Sequence, residues 1–97
     1  MKRHIEWARS AEKELLKLDK PIQRQIKDDI EKFADTGEGD VEAISGEKKG
    51  MPPLYRLRSG DWRVYFDHSQ GQLVVYVLRI VPRGQAYSKG TMPKRKR

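Results

Sequence analysis

The sequence predicts an α+β domain: an N-terminal strand, an αα-hairpin, then a three-stranded antiparallel meander, all in one sheet with the helices on one face. Three observations predict it. Apolar residues recur at helical spacing, with Ala11, Leu15 and Leu18 followed by Ile22, Ile26, Ile30, Phe33 and Ala34. Apolar and charged residues alternate with period two through Tyr55–Phe66, YRLRSGDWRVYF. Leu73–Val81, LVVYVLRIV, is apolar on both parities, as a central strand covered on both faces would be.

Residues 2–7, KRHIEW, form the first strand, with Ile5 and Trp7 on one face. Ser10 is placed to cap the first helix. Asp19-Lys20-Pro21 breaks that helix, and Pro21 suits the first turn of the second. The second helix carries its apolar stripe on one side and an Asp28–Lys32 pair outside it, and Thr36-Gly37-Glu38-Gly39-Asp40 stops it. Residues 41–53, VEAISGEKKGMPP, contain two glycines and two prolines and read as a loop over the sheet edge. A hairpin follows, turning through Ser59-Gly60-Asp61, and DHSQGQ at 67–72 makes the next turn.

The hairpin sets out the main functional question. If the helices cover the face bearing Trp62, Val64 and Phe66, then Arg56, Arg58 and Arg63 line the opposite, open face. Arg79 on the adjacent strand joins them only in one register, and Arg83 and Tyr87 lie beyond the last strand, at one rim of that face. A sheet face with this density of guanidinium groups calls for an anion.

The chain has 97 residues and a net charge of +7, with four of the positive charges in Lys94-Arg95-Lys96-Arg97, which leaves +3 on residues 1–93. This length implies one domain, residues 1–88, followed by a basic tail at 89–97. The tail is either a solubilising extension or a source of added affinity for RNA. There is no cysteine, no apolar run long enough to cross a bilayer and no signal-peptide core, so a cytoplasmic protein without disulfides is expected. A basic surface of this kind steers toward nucleic acid or an acidic protein, and a membrane is the weakest candidate.

The inventory of chemistry is short. No Ser-His-Asp set, Gly-rich phosphate loop or HExxH occurs, and His4 and His68 have no partner at metal-site spacing. Both read as solvated histidines, and the acidic residues, mostly in the helices and the 38–47 segment, form no cation cluster. No metal or cofactor is therefore expected. What remains is the arginine cluster with a tyrosine near it. Guanidinium forks grip phosphate and stabilise a phosphoryl transition state. A phenol of ordinary pKa ~10 is a poor base at neutral pH, but adjacent arginines lower that value. RNA suits such a site because it brings its own nucleophile, the 2′-hydroxyl. The simpler reading is a solvated strand face that docks an acidic partner, with Tyr87 packed on the sheet edge. Trp7 and Trp62 are read as core residues; Tyr65 is either a base-stacking platform or a cross-strand contact.

The chain also resembles the RelE/ParE superfamily of bacterial toxin–antitoxin toxins, across nearly its whole length to about Ser88. The matching pieces are the strand ending IEW, the helix ending Leu15-Leu16-Lys17-Leu18-Asp19, GMPPLY at Gly50–Tyr55, YRLR-SGDWRVYF, and VPRGQAY at Val81–Tyr87. The resemblance implies a RelE-like fold and, on its RelE-like branch, a metal-independent endoribonuclease. Such toxins enter the ribosomal A site and cleave mRNA by 2′-hydroxyl attack on the adjacent phosphate, and a cognate antitoxin restrains them. Carried onto this chain, Arg63, Arg83 and Tyr87 take the catalytic positions and Arg56 and Arg58 bind phosphate; the pattern of the strands adds Arg79 to that binding group. Two departures stand out: Arg56 and Arg58 replace the lysines of the best-known pattern, and Pro82 precedes the closing arginine where relatives often carry a basic residue or histidine. The ParE branch shares the fold and inhibits DNA gyrase without that catalytic set. A third reading is a plain RNA- or protein-binding module.

Overall fold

The computed structural model describes residues 3–45, 53–68 and 73–85. Strand β1 (His4–Trp7) leads into helix α1 (Arg9–Leu16) and helix α2 (Lys20–Thr36), followed by β2 (Val41–Ser45), β3 (Leu54–Ser59), β4 (Trp62–Asp67) and β5 (Val74–Pro82). A short 3₁₀ turn, Arg83–Gln85, closes the described chain. The strands make one five-stranded sheet in the order β1-β5-β4-β3-β2, with β1 parallel to β5 and the other pairs antiparallel. The α+β class, the αα-hairpin and the antiparallel meander are all present; the fifth strand is β2.

That strand corrects the reading of residues 41–53 as a loop. Val41–Ser45 pairs antiparallel with β3, with a register shift between Ala43 and Ser45, and forms one edge of the sheet. Val41 and Ile44 are only partly buried and Glu42 and Ala43 are exposed, so the segment lacks the apolar run that marks a central strand.

Both helices cover one face. Ala11 and Leu15 from α1 and Ile26, Ile30 and Ala34 from α2 pack on Leu57, Val64, Phe66, Val75, Val77 and Ile80. Pro21 sits in the first turn of α2, where its missing N–H costs nothing, and Gly37 ends the helix in the left-handed region at φ 77°. The carbonyls at that end are further met by Arg3, whose N–H donates to Ala34 O at 2.9 Å and whose guanidinium lies 5.9 Å from the Phe33 ring centre. This ties the start of β1 to the end of α2.

α1 has a second task. β1 pairs only with Val74–Val77, so on that side the remaining length of β5 has no strand beside it. Helix α1 takes that place. Ala8 N–H donates to Val77 O at 2.8 Å, Ser10 Oγ to Leu78 O at 3.1 Å, and Glu14 Oε1 accepts the Ile80 N–H at 2.9 Å. Ser10 is thus not the helix cap expected of it. The N-cap is Ala8, and the Ser10 hydroxyl is spent on the sheet edge instead.

Candidate functional site

Beyond the helices, the second sheet face carries a small cluster of Leu54, Tyr65, Leu78 and Val81, and beside it the arginines. Parity places Arg56, Arg58 and Arg63 on this face as expected, but the face is not open. Arg56 is 8% exposed and Arg63 5%, and only Arg58 of the three is exposed. Tyr65 is 0% exposed, which removes it as a stacking platform for a base.

The hairpin geometry explains how the charges are held. Gly60, at φ 58°, and Asp61 make a two-residue turn that sets Ser59 opposite Trp62 and Arg58 directly opposite Arg63. Two like charges at that spacing repel. The Arg63 fork answers by folding back, with Nη1 donating to Gly60 O and Trp62 O at 2.9 Å each. Arg58 reaches toward Asp40, 4.0 Å away, and its backbone N–H donates to Asp40 O at 2.9 Å. The turn is clamped from the helix side by the buried Ser59 hydroxyl, which donates to Asp29 Oδ2 at 2.6 Å and accepts from the Gln25 amide at 3.3 Å.

Arg56 belongs to a transverse row. Register aligns Glu42 of β2, Arg56 of β3, Tyr65 of β4 and Arg79 of β5 across the sheet. Arg56 Nη2 donates to Glu42 Oε2 at 2.5 Å. Burial works against the guanidinium charge, but hydrogen bonds to Tyr65 and Glu42 and their electrostatic attraction outweigh it and raise the Arg56 pKa further above its ordinary value. Arg56 stays charged at every accessible pH. At the far end of the row Arg79 Nε donates to Glu14 Oε2 at 3.2 Å.

Asp40, Glu42, Arg56, Arg58 and Arg63 line a cleft of about 140 Å³. Arg79 is not among its lining residues; it is held at the α1 edge by Glu14. Arg83 follows β5 directly, is exposed, and its N–H donates to Asp61 O at 2.8 Å, which brings it to the turn that carries Arg63. Tyr87 and Lys94–Arg97 lie outside the described residues. The carboxylates in the cleft are what sequence reasoning missed, because 41–53 reads as a loop and the acidic residues of 38–47 as no cluster. The signal was present as the period-two alternation Glu38-x-Asp40-x-Glu42 running into β2.

The histidines fall apart as a pair. His4 is exposed. His68, expected to be solvated, is 6% exposed: its Nδ1 donates to Val74 O at 3.0 Å and its ring meets Phe33 edge-on at 6.1 Å. A carbonyl only accepts, so Nδ1 carries the proton and His68 is a strut between β4 and β5. Among the described residues no group of His, Asp and Glu is arranged to hold a metal ion, and no helix is long and apolar enough to cross a membrane.

Comparison with known proteins agrees with this architecture. No match is found among curated proteins. Among solved structures, the chain is similar to a chain of an archaeal RelE–RelB complex from Pyrococcus horikoshii, at 27% identity and a TM-score of 0.73, covering 89% of this chain and 100% of that one. It shares its fold with a toxin–antitoxin complex from Mycobacterium tuberculosis (17% identity, TM-score 0.68, 86% and 100% covered). The same holds for an arginine-to-alanine double mutant of Escherichia coli RelE in the free state (21% identity, TM-score 0.65, 94% of each chain covered). The family profile of the ParE toxin of type II toxin–antitoxin systems matches residues 5–87. A helix-backed five-stranded sheet of this order, matched over nearly its whole length, places the chain in the RelE/ParE superfamily of type II toxin–antitoxin toxins.

Proposed function

We propose that the protein is a translation-blocking toxin that cuts mRNA on the ribosome, using the arginine cleft to hold the scissile phosphodiester. The observation that carries this reading is that Arg56, Arg58 and Arg63 line one cleft, with the backbone of Arg83 bonded to the β3–β4 turn beside it. Arg63 keeps Nε and Nη2 for an anion, since its Nη1 is committed to the turn carbonyls. In the reaction the 2′-oxygen attacks the adjacent phosphorus and the bond to the 5′-oxygen breaks. The products are a 2′,3′-cyclic phosphate and a 5′-hydroxyl. Arg63 and Arg83 stabilise charge on the phosphoryl oxygens, Tyr87 takes the 2′-hydroxyl proton, and water protonates the leaving oxygen. Arg56 and Arg58 bind flanking phosphate. Arg79, paired with Glu14 at the far edge, is left a structural part. In this reading the partner is an antitoxin, as in the archaeal and mycobacterial complexes, with a segment of it covering the arginine face.

The test adds the purified chain to translating ribosomes and maps mRNA ends. Cleavage at A-site codons is expected, falling about 100-fold or more in Arg63→Ala, Arg83→Ala and Tyr87→Phe. Absence of cleavage, or variants as active as the parent, rules the reading out. A gyrase-inhibiting toxin is the second reading, favoured by the family profile that the chain matches. It predicts inhibition of DNA supercoiling by the same protein with no RNA scission.

A further inference from the structure

The arginine cleft carries its own anions. Glu42 is the registered cross-strand neighbour of Arg56 and is hydrogen-bonded to it, while its side chain remains 66% exposed. Asp40 stands 4.0 Å from Arg58 and is 71% exposed. Both line the cleft with the three arginines. Both carboxylates are themselves in water, but their partners differ: Arg58 is exposed as well, whereas Arg56 is buried and held by Glu42. The exposed Asp40–Arg58 pair is weak, on the order of 0–1 kcal/mol, so an incoming phosphate can take the place of Asp40, while Glu42 stays on Arg56 as a fixed negative charge in the cleft lining. Together they reduce the lining from three positive charges to a net of one.

We infer that Glu42 and Asp40 are specificity-determining residues of the cleft: they match its charge to a single phosphodiester of a polynucleotide strand and disfavour anions of higher charge. The argument is electrostatic and has a sign. A carboxylate beside the bound anion repels it in proportion to the anion's charge, so a phosphomonoester dianion loses twice what a phosphodiester monoanion loses. RNA chain ends and free nucleotides carry monoesters, whereas the interior of a strand carries only diesters. The two acids therefore bias the cleft toward the interior of an RNA chain. This inference rests on the reading of the cleft as a phosphodiester site and adds what sets its choice among phosphates.

The experiment uses two probes that cannot be cleaved, a 2′-deoxy dinucleotide with one internal diester and a 2′-deoxynucleoside 3′-monophosphate. Binding of each to the full chain is followed by NMR titration at low salt and pH 7.5, where the monoester is mostly dianionic. Glu42→Gln keeps the size and hydrogen-bonding capacity of the side chain and removes the charge. It is expected to tighten the diester about threefold and the monoester about tenfold, the second factor being close to the square of the first. Asp40→Asn, on an exposed residue, should do the same independently, which keeps the test in force if the first variant is poorly folded. Equal gains for both probes overturn the selectivity. Weaker binding shows instead that Glu42 is a strut for Arg56, and overturns the inference too. If neither probe binds the parent or the variants, the phosphate-site reading falls along with the inference. If binding responds as expected while ribosomes show no mRNA cleavage, only the ribonuclease reading falls.

Discussion

Gly60 holds a position that few residues could fill, and its neighbours show why. At φ 58° any side chain is strained, and a Cβ would stand 2.5 Å from the Gln25 amide nitrogen. That amide is one of the two groups that clamp Ser59, so moving it loosens the turn that positions Arg58 and Arg63. Gly60→Ala should cost about 1–2 kcal/mol, read as a fall in the denaturant midpoint. Gly37 provides the comparison: at φ 77° with nothing within 4 Å, its replacement by Ala meets only backbone strain, expected at about 1 kcal/mol, and by Asn less. At this scale the sequence was legible in its turn and stripe residues, Pro21, Gly37 and Gly60. It was not legible in where long side chains lie down. Nothing in the alternation of YRLR-SGDWRVYF says that Arg63 folds onto its own turn, or that His68 leaves solvent for a carbonyl six residues on.

Among the elements, α1 is short but carries more than its apolar face. It stands in for a strand along the half of β5 that β1 does not reach, with Glu14 serving both the Ile80 N–H and Arg79. Glu14→Ala removes the acceptor of a partly buried backbone N–H and is expected to lower stability by about 2–3 kcal/mol. Glu14→Gln, which still offers an acceptor, should recover about half of the loss; chemical denaturation of both variants measures it. A helical pattern shows which residues face the core, and Ala11 and Leu15 were legible for that reason. A polar residue on the flank of the helix gives no sign of which sheet edge it will meet, so Ser10 was read as a cap and Glu14 passed unremarked. The same limit hid β2, whose pairing is made by backbone groups and whose side chains bury little.

For the whole molecule, the meander and the helix-covered face were readable because burial imposes a period on the sequence, and the site only by half. Three arginines share a face because a strand alternates; that two carboxylates share it with them follows from a pairing between segments 14 residues apart, as in Glu42 and Arg56. Strand β5 was readable as central, and the fold shows how much depends on it. It lies between β1 and β4, and residues 74–77 hold the first strand of the chain in parallel. A fragment ending at Leu73 loses the partner of β1 and one partner of β4. It is expected to show no cooperative transition on heating, followed by circular dichroism.

That placement also puts the assembly in an order in time. During synthesis the chain emerges from its first strand onward, yet β5, an interior strand of the sheet, is the last of the described strands to be made. At about 5–20 residues per second, roughly 4–15 s pass between the first residues and Val74, and through that interval β1 has nothing to pair with. Arg83 comes later still, and its anchor on the β3–β4 turn forms only once β5 is in place. The nascent toxin is an unfinished sheet until β5 has been made, so a chain released before that point carries Arg56, Arg58 and Arg63 without the strand that completes their scaffold.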